Sequence, residues 1–128
     1  MSKIPSDLKF SKDHEWVKIS GDRAVVGITD YAQETLGEIV YVELPEIGSS
    51  VTAGSEVATV ESVKAASAIY NPLDGTIAEV NTALEDAPES VNDSCYEAYI
   101  YALGDYDTAQ YDDLLTAEEY EQYIGTLD

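Results

Sequence analysis

The residues with the clearest chemical potential lie in Val60-Glu61-Ser62-Val63-Lys64-Ala65-Ala66-Ser67. Lys64 falls between two β-prone runs, Val57 to Glu61 and Ala66 to Tyr70, and a tight turn between them puts it at a hairpin tip. A tip residue projects into solvent, so a modifying enzyme can reach its amine. Val63, Ala65 and Ala66 are small or apolar and leave the lysine unpaired, while Glu61 on the same arm offers a negative mark that such an enzyme could read. On the hairpin alone, Lys64 is an ordinary surface lysine. The charge map changes that balance. The basic residues are Lys3, Lys9, Lys12, Lys18, Arg23 and Lys64, so the only cation after Arg23 stands at this turn.

The other reactive side chains point to packing. Cys95 is the single cysteine, which excludes an intramolecular disulfide and a multi-thiolate metal site. No histidine lies near it in sequence to activate the thiol, since His14 is the only one. His14 in turn has no second cluster of ligand type and reads as structural or surface. Trp16 and the ten tyrosines read as core and rim packing. There is no nucleophile–base pair, and neither G-x-G-x-x-G nor a phosphate loop occurs. An enzyme in its own right is therefore the class with least support.

Strands must position the tip. Glu15 to Ile19 and Arg23 to Ile28 flank Ser20-Gly21-Asp22 and form a predicted hairpin. Asp30 to Leu36 is a predicted short helix, with a capping-box-like Asp30/Gln33 pair and Gly37 as its stop. Ile39 to Leu44 is a β-prone run ended by Pro45. Punctuated short segments follow, through the turn Asn71-Pro72-Leu73-Asp74-Gly75 to Thr76-Ile77-Ala78-Glu79-Val80. Many short strands with frequent turns predict a mainly β sandwich or flattened barrel, with a β core over about 15–103. After about Asp105 the pattern becomes helical: Asp107/Gln110 and Thr116/Glu119 have cap spacing, and Tyr120 and Ile124 form an apolar i, i+4 pair. This segment, about 105–125, is a helical annex that must pack on the core, because two short helices are not stable alone.

The chain of 128 residues suits one domain, 1–128, and its 45% apolar content is that of a folded protein. Twenty-six acidic residues against six basic ones give a net charge of -20. Such a surface excludes nucleic acid and anionic membranes as partners, because both need Lys and Arg against phosphate. It fits a solvated, soluble face and also steering toward basic surfaces on partner proteins. No stretch approaches the ~18 apolar residues of a membrane span, and Met1 to Phe10 has neither signal-peptide nor transit-peptide character. The expected location is the cytoplasm, although a trimmed form from the mitochondrial matrix would read the same way.

The segment Glu61-Ser62-Val63-Lys64-Ala65-Ala66-Ser67 resembles the lipoylation segment of the H proteins of the glycine cleavage system. It follows Gly54 by ten residues, in a Gly48-x5-Gly54 pattern shared more loosely with lipoyl and biotinyl domains. Asp13-His14-Glu15-Trp16-Val17, Val26 to Gln33, Leu36 to Pro45, Glu79-Val80-Asn81 and Asp112-Asp113-Leu114-Leu115 agree in order and spacing. The match runs from about Leu8 to Tyr123. One region departs. Around Asn92 to Tyr99 the family has Pro-Tyr and then Gly-Trp, where this chain has Cys95-Tyr96 and Ala98-Tyr99; the acidic residue four after the lysine is Ala68 here.

The resemblance implies a fold of the lipoyl/biotinyl hybrid-motif type and lipoate attached as an amide to Lys64, an arm of roughly 14 Å. In this family the dithiolane accepts an aminomethyl group as a pyridoxal-phosphate glycine decarboxylase releases carbon dioxide. A folate-dependent aminomethyltransferase takes the one-carbon unit, and the flavin enzyme dihydrolipoyl dehydrogenase reoxidises the dithiol. The implied modifying enzyme is a lipoate ligase or a lipoyl/octanoyl transferase, and the carrier is expected to be a non-catalytic monomer. An acidic, partly apolar cleft should shelter the cationic cargo from water, and Glu15, of the His-Glu-Trp segment, is the residue the resemblance assigns to that contact. Three alternatives remain: a biotinyl domain, although Val63 and Ala65 stand where Met usually flanks the lysine; an H-like lipoyl donor for other complexes; and a purely structural module.

Overall fold

Alternating apolar residues make the first hairpin. In the computed structural model, which describes residues 3–127, strands β2 (Glu15–Ser20) and β3 (Arg23–Ile28) pair antiparallel, Glu15 opposite Ile28 and Trp16 opposite Gly27. Period-two geometry sends Val17, Ala24, Val26 and Ile28 to one face, where they are buried in the main core. Trp16 goes to the other face. A Cβ on Gly27 would lie 2.6 Å from the Trp16 ring, so only glycine permits that indole to lie flat across the strand pair.

The remaining elements are β1 (Lys9–Phe10), α1 (Asp30–Leu36), β4 (Ile39–Glu43), β5 (Ser50–Val51), β6 (Glu56–Ser62), β7 (Ala66–Tyr70), β8 (Gly75–Val80), α2 (Ala83–Asp86), α3 (Ser90–Asp93), β9 (Tyr101–Gly104), α4 (Thr108–Asp112) and α5 (Ala117–Gly125). The strands form two antiparallel sheets, ordered β1-β2-β3-β9-β8-β5 and β4-β6-β7. Their apolar faces meet as a sandwich. Val17, Val26 and Ile28 from the first sheet share one buried cluster with Val42, Val60 and Ile69 from the second. The mainly β architecture expected from the sequence is the one observed.

The annex is divided: α4 and its flanks pack Tyr106, Tyr111 and Leu114 against the main core, and α5 covers the Trp16 face of β2. Thr116 caps α5 with a reciprocal Glu119 bond, and Asp107 caps α4 through the Ala109 and Gln110 amides, as the spacing predicted. Tyr120 and Ile124 then close a second buried cluster with Leu8, Phe10 and Trp16.

Three local features differ from expectation. The cap of α1 is Thr29, whose hydroxyl accepts from the Ala32 amide. Asp30 is the first helical residue instead, and its carboxylate accepts from Gln33 Nε2 at 2.7 Å. Strand β1 and helices α2 and α3 were not predicted. Each is two to four residues long, too short to display a period, and each is held by distant partners. Phe10 exchanges backbone bonds with Leu115, and α2 and α3 are anchored by buried Leu84 and Val91.

Candidate functional site

Lys64 stands exposed at the β6–β7 turn, where the sequence put it. Ser62 builds the turn: its hydroxyl accepts from the backbone amides of Lys64 and Ala65, and its own amide donates to the Ala65 carbonyl. A second support comes from outside the hairpin. The Val63 amide donates to the Glu38 carbonyl at 3.0 Å. The lysine stem lies across the end of α1, because a Cβ on Gly37 would sit 3.2 Å from Lys64 Cε. Gly37 also ends the helix at φ 81°, a conformation that favours glycine. Helix stop and lysine rest thus fall on one residue.

Beside that end, reached through the neighbouring Leu36 and Ser67, lies a cleft of about 250 Å³. The turn before β2 and the start of β2 contribute Asp13, His14 and Glu15; helix α1 contributes Tyr31, Ala32, Thr35 and Leu36; Val60, Ser67, Ala68 and Ile69 come from the β6–β7 sheet, with Ile28 between. Its walls are mixed: Ile28, Ala32, Leu36, Val60, Ala68 and Ile69 give hydrocarbon, while Asp13, His14 and Glu15 gather at the start of β2.

Glu15 is 2% exposed. It occupies the inward face of β2 with Val17, a position where the strand otherwise buries hydrocarbon. Its carboxyl accepts from the Ser11 hydroxyl at 2.6 Å and from the Tyr70 backbone. These bonds and the nearby Asp13 charge are outweighed by desolvation, which pushes the Glu15 carboxyl up to about 8. The resemblance implied an anionic contact. In the protein without cargo, Glu15 is mostly a neutral acid at pH 7.

His14 turns the chain into β2. It sits at φ 71°, in the left-handed region that few residues other than glycine adopt, and its ring is held by Tyr31, with centroids 4.7 Å apart, and by the Tyr120 hydroxyl at 2.9 Å. That hydroxyl also bonds Thr29 at 2.7 Å, so helix α5, the cap of α1 and the cleft wall share one network. Burial lowers the His14 pKa against an opposing Asp13 charge. The ring thus packs between α1 and α5 at the edge of the cleft.

Glu61 is exposed on the hairpin, across from Tyr41 and Ala66 and outside the cleft. The region that departs from the family pattern is firmly packed. The Cys95 carbonyl accepts from Trp16 Nε1 at 3.0 Å, and burial pushes the thiol up to about 12, so it is a packing residue. The Tyr96 hydroxyl donates to the Lys3 carbonyl and accepts from the Asp30 amide. Among the described residues, no group of His, Cys, Asp and Glu could hold a metal ion, and no helix is long and apolar enough to cross a membrane.

Sequence reading missed Tyr31, Thr35 and Asp13 as cleft residues. The spacing of Tyr31, Ala32, Thr35 and Leu36 on one helical face was an available signal. Nothing local marked Asp13.

Comparison with known proteins shows the family and the fold. The family model described as glycine cleavage H-protein matches residues 8–126. The glycine cleavage system H protein of Thermoanaerobacter sp. (strain X514) is 52% identical over 117 residues, covering 91% of this chain and 93% of that protein. That of Halalkalibacterium halodurans is 48% identical over 126 residues, covering 98% of each. Among solved structures, a glycine cleavage system H protein from Mycobacterium marinum superposes with a TM-score of 0.86 at 40% identity, over 95% of this chain and 99% of that one.

Proposed function

The chain belongs to the glycine cleavage H-protein family, and we propose that it works there by carrying lipoate as an amide on Lys64. A member of this family is a carrier subunit of the glycine cleavage system, with no catalytic role of its own. The observation that supports the assignment to Lys64 is its position: an exposed amine at a hairpin tip, its stem lying over Gly37, next to Leu36 in the wall of the cleft. The residues present fit such a group. Ile28, Leu36, Val60 and Ala68 offer hydrocarbon to an acyl chain, and a buried acid stands on the far side. When bound, lipoate supplies a disulfide that takes up the one-carbon unit of glycine and hands it on.

What this chain adds is shelter and charge. The cleft walls exclude water from a cargo that water would otherwise release. Glu15 sits where a cationic amine would come to rest. A neutral acid in a dry pocket ionises when a cation approaches, because the pair then compensates the lost hydration of each partner. Glu15 thus carries charge when there is something to hold. With Ala68 in place of an acid, this chain has one less carboxyl on the β7 side of the cleft, and the burden falls on Glu15.

The partners we propose are the pyridoxal-phosphate glycine decarboxylase, the folate-dependent aminomethyltransferase, dihydrolipoyl dehydrogenase, and a lipoate ligase or lipoyl/octanoyl transferase that reads Glu61 beside Lys64. The proposed location is the cytoplasm. Intact mass of protein made in its native host tests the modification, and a reconstituted glycine decarboxylation assay tests the role. Lipoylated protein that fails to support carbon dioxide release would instead favour a lipoyl donor serving other complexes.

A further inference from the structure

The segment on which the Lys64 tip rests, Gly37-Glu38-Ile39, is gripped by a side chain from more than fifty residues away. Asn92, on α3, brackets Glu38. Its Nδ2 donates to the Gly37 carbonyl at 2.8 Å, and its Oδ1 accepts from the Ile39 amide at 2.8 Å. The second Nδ2 hydrogen goes to Gln33 Oε1 at 2.9 Å, and Gln33 Nε2 goes to Asp30 Oδ1 at 2.7 Å. Only a primary amide offers two donors and an acceptor in one plane, and all three are used here. Between the two gripped residues lies Glu38, whose carbonyl takes the Val63 amide, one residue before Lys64. Gly37 itself carries the lysine stem. One side chain therefore fixes both supports of the attachment point.

We propose that Asn92 is a positioning residue for Lys64, setting where the amine stands for the enzyme that acylates it; this rests on the carrier reading above. In the acylation, neutral Nζ attacks the carbonyl carbon of an acyl adenylate, the N–C bond of the amide forms as the C–O bond to AMP breaks, and the nitrogen gives one proton to water as AMP leaves. The rate of that step depends on the placement of Nζ, and displacements on the order of 1 Å can cost a hundredfold. Enzyme docking would use the exposed outer face of the hairpin, which Asn92 does not touch.

The test uses the full unmodified chain with a lipoate ligase, lipoate and ATP. Asn92→Ala should lower kcat roughly tenfold with KM within about twofold of the parent. Hydrogen exchange at the Val63 amide should accelerate on the order of tenfold, while the Val60 amide in the sheet stays protected. A purely structural role would lower Tm and leave kcat of the folded protein unchanged. If Asn92→Ala does not fold, Gln33→Ala, which removes only the brace behind Asn92, should lower kcat about two- to threefold. Unchanged kcat in the folded variant overturns the assignment of Asn92. A wild-type chain that accepts no lipoyl group overturns the carrier reading itself, which is a separate result.

Discussion

The two ends of the cleft solve opposite problems. At one end Lys64 is exposed, on a turn held largely by the neighbouring Ser62 hydroxyl. At the other, Glu15 is 2% exposed, in a pocket that β2, β7 and α1 assemble together. An amine proposed to be acylated by other proteins has to stand in water. A carboxyl proposed to hold a cation gains from being out of it, because an exposed pair contributes only about 0–1 kcal/mol. The difference teaches that a local turn is enough to expose an amine, with distant bonds setting only where it stands, whereas grip requires a tertiary pocket and a group kept away from its usual ionisation.

The comparison breaks most completely at Lys64. Lys64→Arg should abolish lipoylation and glycine decarboxylation, measured by intact mass and carbon dioxide release, and leave Tm unchanged because the side chain is exposed. Full activity in that variant would remove the carrier mechanism. Gly27→Ala strikes the other end. Its Cβ would meet the Trp16 ring at 2.6 Å, displacing β2 beside Glu15, and should cost about 1–3 kcal/mol in chemical denaturation. Where the variant is folded, the lipoylation rate should match the parent while retention of cargo falls. Loss of both would show that the two ends are not independent.

Glu15 permits a finer test through pH. Burial holds its carboxyl at about 8, against 4.5 for the free group. Between those values the folded chain keeps a proton that the unfolded chain releases. The stability drawn from it is therefore whole below about pH 4.5 and is lost as pH rises through about 8. Glu15→Gln keeps the shape and cannot ionise. Relative to the parent it should gain stability from pH 5 to pH 8, reaching ~1–3 kcal/mol at the upper end. The same variant, once lipoylated and loaded, should lose its aminomethyl group faster. A stability difference that does not change with pH would show that Glu15 is ionised in the empty protein.

The smallest effect concerns the surface shared by both ends. With a net charge of -20 and six basic residues, self-repulsion should be relieved by screening. Raising ionic strength from about 0.05 to 0.5 M should raise Tm by on the order of 3–5 °C. Cation retention by the buried Glu15 should change much less than Tm does, since a dry site is poorly screened.

Much of this was legible without coordinates. Strand alternation, the caps Asp107 and Thr116 and the stop at Gly37 are local signals, each expressing an interaction within a few residues. The Lys64 tip is of this kind, since its turn closes on Ser62 and Ala65. The same alternation carried an unread signal: Glu15 shares a strand face with Val17 and Ile19, so its burial was written in the period. The capping residue of α1 was misplaced by one, because Thr29 and Asp30 are both good caps and the choice rests on how Thr29 is buried beneath Tyr120.

The sequence by itself determined a mainly β chain with an exposed amine at a hairpin tip. Turn chemistry and side-chain period act over two to four residues, and no distant partner is needed to express them. The tertiary structure alone decided how far that burial raises the Glu15 carboxyl above its ordinary range, and that Asn92 grips the segment under Lys64. Desolvation is a property of everything packed around a group. A hydrogen bond across more than fifty residues exists only once both sheets have closed on their common core.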